Sequence, residues 1–195
     1  MKSKRLVCLV VMVVAITLVQ PLVASTFTAM DRTEMVGASV AVVEGEVLST
    51  VSYWNRDSSM IFTDVMLLVR DRHHGDSASV VKIKTFGGEV DGYRVEGSGF
   101  ARFTVGDRAF VFLRPDELDP DMLRVTGHQL GHYDIVARPD GVEWAVPTVD
   151  EGMHLVTREL TQASAPAAMP LADLRQEVRA LSERLEGDET DRPVN

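Results

Sequence analysis

The segment His128-Gln129-Leu130-Gly131-His132 is where residue type and spacing in this sequence come closest to chemistry. Imidazole nitrogens ligate zinc, and two histidines flanking a three-residue hairpin loop over Gln129–Gly131 become cross-strand neighbours able to share an ion. A zinc that polarises water for hydrolysis needs a third protein ligand. His73, His74 and the carboxylates of the loop Asp116–Asp121 are the donors on offer. The plainer alternative is a pair of solvated turn histidines.

Other motifs carry less. Asp116-Glu117-Leu118-Asp119-Pro120-Asp121 resembles a calcium loop in its acid content, but it lacks the glycine at the sixth position and the distant bidentate glutamate, which leaves a solvated acidic loop as the default. Ser79-Val80-Val81-Lys82 has the S-x-x-K spacing of serine acylases, which brings two side chains together on a helix and points them apart on a strand; strand is what the surrounding residues predict. There is no HExxH, no G-x-S-x-G and no Walker loop. Arg70, Arg72, Lys82 and Lys84 come from adjacent predicted strands and form a candidate binding patch; the competing reading is a charge-balanced solvated surface. No cofactor is required by any of these residues. Zinc at His128 and His132, and calcium at the acidic loop, are the two ions they would take.

These side chains act in a particular compartment. Lys2, Lys4 and Arg5 precede a 14-residue apolar run, Leu6 to Val19, then Pro21 and the small residues Ala24 and Ser25. That pattern predicts a secretory signal over residues 1–25, too short to serve as a spanning anchor, so the protein is expected to be exported, periplasmic or secreted, with no membrane span after cleavage. Cys8, the only cysteine, lies inside that run, so the exported chain has neither disulfides nor thiol nucleophiles. Cleavage removes three of the 20 basic residues and none of the 29 acidic ones, leaving a formal charge of 17 minus 29, or −12. Such a chain repels polyanions, which argues against nucleic acid as a partner, and aromatics at 6% argue against a stacking platform.

The elements that must position these groups are mainly strands. The longest run, Ser39 to Trp54, is interrupted once by Gly45, with apolar residues on both faces before the glycine and on one face after it. A bulge or bend there suits the first strand of a small bent barrel. Further strands are expected at Met60–Val69, Val80–Phe86, Tyr93–Val95, Phe100–Thr104, Arg108–Leu113, Met122–Thr126, His132–Ala137 and Val142–Val146, with Asp71–Ser77 a polar loop. A short helix between Thr26 and Gly37, capped by Thr28, is expected to plug one end of the barrel. The domain divides as a barrel over 26–150, a linker over 151–169, an amphipathic helix over 170–187 and a disordered tail over 188–195. Leu171, Leu174, Val178, Leu181 and Leu185 recur at helical spacing, behind Pro170 and before Gly187. This stripe is expected to dock on the barrel and cover an open end, with self-association through 170–187 as the alternative to a monomer.

The stretches VVEGEV (Val42 to Val47), IFT (Ile61 to Thr63), FGGEVDG (Phe86 to Gly92), GFARFTVGDRAFVFL (Gly99 to Leu113) and VTGHQLGHYDI (Val125 to Ile135) resemble those of uncharacterised exported bacterial proteins with a small OB-like β-barrel. The resemblance covers about residues 30 to 137 and implies a fold, with no activity, cofactor or catalytic residue attached to it. It departs at Leu130, where a glutamine is expected, and neither His128 nor His132 belongs to its pattern. The fold class expected is therefore mainly β, an OB-like barrel with a short N-terminal helix and a C-terminal amphipathic helix. The leading function is a non-enzymatic module binding an unknown protein or envelope component. A metal-assisted hydrolase using His128 and His132 is the first alternative, and an oligosaccharide- or oligonucleotide-binding barrel the second.

Overall fold

The computed structural model describes residues 26–150, 154–156 and 162–190. The expected export signal lies outside the described residues, as do residues 191–195 of the expected tail. In chain order the elements are β1 (Thr26–Thr28), α1 (Arg32–Gly37), β2 (Ala41–Trp54), β3 (Ile61–Gly75), β4 (Val80–Phe86), β5 (Gly88–Val90), β6 (Tyr93–Val95), β7 (Arg108–Pro115), β8 (Leu123–Val125), a 3-10 turn (His128–Gly131), β9 (His132–Ala137), β10 (Glu143–Pro147), β11 (His154–Val156), β12 (Met169–Pro170) and α2 (Leu171–Thr190). No helix among the described residues is long and apolar enough to cross a membrane.

β2, β3 and β4 form an antiparallel meander. β8 lies parallel to β4 and antiparallel to β7, and β7 returns to β2, so five strands close into a barrel. The sheet then continues past β7 through β9, β10 and β12. β2 can belong to both parts because it bends. Its register with β3 shifts three times, on either side of Gly45, and a Cβ on Gly45 would lie 2.6 Å from Leu67 Cγ and 2.7 Å from the Leu68 carbonyl. Ala41 to Gly45 are buried throughout, whereas burial alternates and fades beyond them, as the sequence predicted.

Two cores result, one on each side of this wall. Val43, Val47, Val65, Leu67, Ile83 and Val111 fill the barrel. On the outer face Val42, Phe110, Phe112 and Tyr133 pack under the helices, against Met35 and Val36 of α1 and Leu171, Leu174, Val178 and Leu181 of α2. The helical stripe is thus buried where its 3-4-3-4 spacing puts it, with Leu185 packed at the margin. Neither helix plugs an end of the barrel, as had been expected of both; they lie along its wall, because the wall's exterior is itself apolar there.

Several boundaries differ from expectation. β3 runs on to Gly75 through a stretch expected as a polar loop, since β2 supplies the pairing and α2 the cover. Thr28 belongs to β1, and α1 is capped by Asp31, whose carboxylate accepts from Glu34 N at 2.8 Å while Glu34 accepts in return from Asp31 N. Phe100–Thr104 is not a strand. The expected linker includes β11, paired with β1, and β12, which holds Pro170 against Trp144. α2 passes through Gly187 to Thr190, so residues 188–190 are helical and not part of a tail.

Candidate functional site

The two sequence-predicted histidines are not cross-strand partners. Residues 128–131 coil into a 3-10 turn, and the hairpin loop expected over Gln129–Gly131 does not form. His128 has φ 59° and sits edge-on to Phe27, with burial and then the charges of Arg114 and Arg124 pushing its pKa down. His132 is 1% exposed, stacked on Phe103 at 4.3 Å and within 3.2 Å of the Thr148 hydroxyl; burial pushes its pKa down to about 4. At neutral pH it is an uncharged core side chain. Nor do the acidic-loop oxygens form an open cage. Asp116 accepts from Arg124 and from the amides of Leu118 and Asp119, and Asp119 accepts from Lys84 at 3.1 Å.

The four cations of the expected patch are dispersed and mostly neutralised. Arg70 pairs with Glu46 at 2.8 Å, Arg72 with Asp76 and Lys84 with Asp119, leaving Lys82 without an acidic partner among the described residues. Lys82 and Lys84 stand opposite Met66 and Asp64 on the barrel's outer face, while Arg70 and Arg72 lie beyond the last β3–β4 pair.

Charge concentrates instead beneath α2. Glu44, 2% exposed, receives Arg175 on both oxygens at 2.6 Å and His73 Nε2 at 2.7 Å. Burial works to raise its pKa, but Arg175 and His73 outweigh that and hold it at about 2. Around this pair Arg179 binds Asp71 at 2.8 Å, His74 meets Ser182 at 2.7 Å, and Glu143 bridges Arg108 and Arg175. Glu44, Asp71 and His73 are also the one group of three ligand atoms among the described residues close enough to hold a metal. The carboxylates of Glu44 and Asp71 are already held by Arg175 and Arg179, so the cluster works as a latch between helix and barrel.

A second feature escaped sequence reasoning. Tyr53, Phe62, Phe86 and Phe100 form a row across β2, β3, β4 and the following loop, with successive ring centroids 6.4, 5.1 and 5.4 Å apart. Sparse aromatics are here collected in one place, and the signal was strand register: Tyr53 opposes Phe62, which opposes Phe86. Arg124 of β8 lies over Phe86 at 4.6 Å and is held there by Asp116, so the middle of the row is covered by a guanidinium of the chain itself.

The open space lies beside that row, at the mouth of the barrel. A cleft of about 430 Å³ runs between the ends of β2, β3 and β4, the β5–β6 hairpin and the segment 100–104. The barrel interior changes character here. Where Val65, Leu67 and Ile83 point inward deeper down, Thr50, Ser52, Thr63 and Thr85 present hydroxyls at the mouth. Ser52 and Thr63 share a hydrogen bond of 2.8 Å, Thr63 donates to Gly87 O and Thr85 to Ala101 O, both at 2.7 Å. Gly88, at φ 130°, threads between Ser52 and Thr63 so closely that a Cβ would overlap both hydroxyls. Thr50 and Thr104 line the cleft with no protein hydrogen-bond partner for their hydroxyls among the described residues.

The chain matches no protein-family model, and no curated protein matches it significantly in sequence.

Proposed function

We propose that this is an exported, non-enzymatic binding module built on an OB-like barrel, with the mouth cleft as its ligand site. The observation that carries the reading is the cleft itself: about 430 Å³, within the roughly 300–1,000 Å³ of small-molecule sites, with two hydroxyls left unpaired on its walls. A three-strand meander closed by two later strands, one of them parallel to the third, supports the OB-like reading. Residues 1–25 support export. The α2 stripe is committed to its own sheet, which supports a monomer over self-association through 170–187. The hydrolase alternative draws no such support: His132 is enclosed, and the expected pairing with His128 across a hairpin is absent.

The test is amide chemical-shift mapping of the exported protein against soluble fragments released from cell envelopes by mild digestion. Shifts confined to residues 85–88 and 100–104 are expected. Shifts confined to other surfaces, or none, would overturn the reading.

A further inference from the structure

The chemistry of the cleft walls narrows the ligand further, on the basis of the reading just given. Two acidic residues, Glu89 and Glu96, and two basic ones, Arg94 and Arg102, line it, so its lining carries no net charge. None of these charges is unspent. Arg94 holds Glu89 at 2.7 Å and Glu96 at 3.4 Å, and Arg102 lies 3.6 Å from Asp150. A phosphate or carboxylate entering here would have to compete with Glu89, Glu96 or Asp150 for a cation, and would meet an exported chain whose formal charge is −12. A wholly apolar ligand fares no better, because it would strand the hydroxyls of Thr50 and Thr104 without a partner.

What fits is a ligand that is uncharged, rich in hydroxyls, and flat and apolar on one side. Phe86 and Phe100 supply an apolar part of the lining. Phe100 is set in place by glycines: a Cβ on Gly97 would come within 2.9 Å of its ring and one on Gly87 within 3.1 Å. Paired carboxylate and guanidinium groups keep outward lone pairs and N–H bonds for adjacent hydroxyls, and Thr50 and Thr104 add two groups that both donate and accept. We infer that the cleft binds a short neutral oligosaccharide, its C–H face on the phenylalanines and its hydroxyls on the threonines and the Arg94 ion pairs.

The probes are cellotetraose, chitotetraose, maltotetraose and mannotetraose, titrated to about 10 mM, where even millimolar binding is visible. A four-residue oligothymidylate and a tetragalacturonate serve as anionic counterparts, each read by amide shifts. At least one neutral sugar should move residues 85–88 and 100–104, and both polyanions should not. The double substitution Thr50→Val/Thr104→Val should weaken that sugar at least about tenfold, the effect of losing two hydrogen bonds. An unchanged affinity would place the sugar elsewhere and sink the assignment. Silence from all four sugars, with the cleft still responding to envelope digests or to a polyanion, overturns the sugar class and leaves the cleft as the site. Silence from every probe removes both.

Discussion

The outer wall under α2 and the mouth of the barrel use their polar groups differently. Beneath the helix the buried Glu44 carboxylate has partners on both oxygens, and its neighbours Asp71, His74 and Glu143 are paired in turn, while the buried Nδ1 of His73 has none. At the mouth, hydroxyls face open space, and two have no protein partner among the described residues. A protein gains nothing in stability from an unpaired hydroxyl where valine would fit. The contrast therefore separates a region built to hold the molecule together from one built to meet something else.

The comparison breaks most readily at the helix stripe. Leu174 is fully buried, and Leu174→Asp places an unpaired charge in that core, so a loss of at least about 4 kcal/mol is expected. For a chain of this length that lowers the melting temperature by about 10 °C or more. Light scattering on the wild-type protein should give a monomer. A variant that melts like wild type while a wild-type dimer dissociates would mean that the stripe serves a partner instead.

The latch comes next. Glu44→Ala removes the acceptor and leaves Arg175 beside His73 without it, for an expected loss of about 3 kcal/mol in chemical denaturation. Replacing all three members, Glu44→Leu with Arg175→Met and His73→Phe, should recover most of that loss, because the latch repays desolvation more than it adds net stability. A triple variant as weak as the single one would show that Arg108, which reaches Glu44, and Glu143, which reaches Arg175, depend on the latch too.

Acid should strip the two buried groups in separate windows. His132 has a folded pKa depressed from 6.5 to about 4, so the unfolded chain binds its proton first and stability falls as pH drops from 6.5 through 4. Glu44, depressed from 4.5 to about 2, contributes stability that is intact above 4.5 and lost towards 2. Each amounts to about 3 kcal/mol. His132→Phe should shrink the upper window to the share left by His128, whose pKa burial also pushes down, and leave the lower one, as read from unfolding midpoints at successive pH values. A stability profile flat between pH 6.5 and 4.5 would contradict the burial of His132.

Much of the wall was legible in the sequence, and little of the mouth. Gly45 within a valine run announced the bend, and the leucine spacing announced a buried stripe, because each rests on local periodicity. Asp71 to Gly75 was misread because its strand pairing comes from the start of β2, about 30 residues earlier, and the burial of His73 from Glu44 and the helix beyond it, while the residues themselves show no alternation. The histidines drew attention by their letters, yet Gly127 and His128 both take left-handed backbone and coil the segment into a turn. The cleft depends on three strand ends, a hairpin and the segment 100–104 meeting at one point. Only its glycines and threonines, ordinary turn and strand residues when taken singly, were visible beforehand.

The smallest expected effect sharpens the comparison most. If the mouth were part of the stabilising framework, Thr50→Val/Thr104→Val would change stability measurably, in either direction, by altering packing or polar contacts. With both hydroxyls facing open space and no protein partner among the described residues, the double variant should unfold within about 0.5 kcal/mol of wild type. Thr85→Val is the matched control from the same lining. It keeps the shape but leaves the Ala101 carbonyl without its donor at 2.7 Å, in a side chain already buried, and should cost about 1–2 kcal/mol. Equal losses in the two variants would erase the distinction between hydroxyls that hold the mouth in shape and hydroxyls left free for a ligand. A neutral double variant beside a weakened Thr85→Val locates that boundary between neighbouring side chains of one cleft.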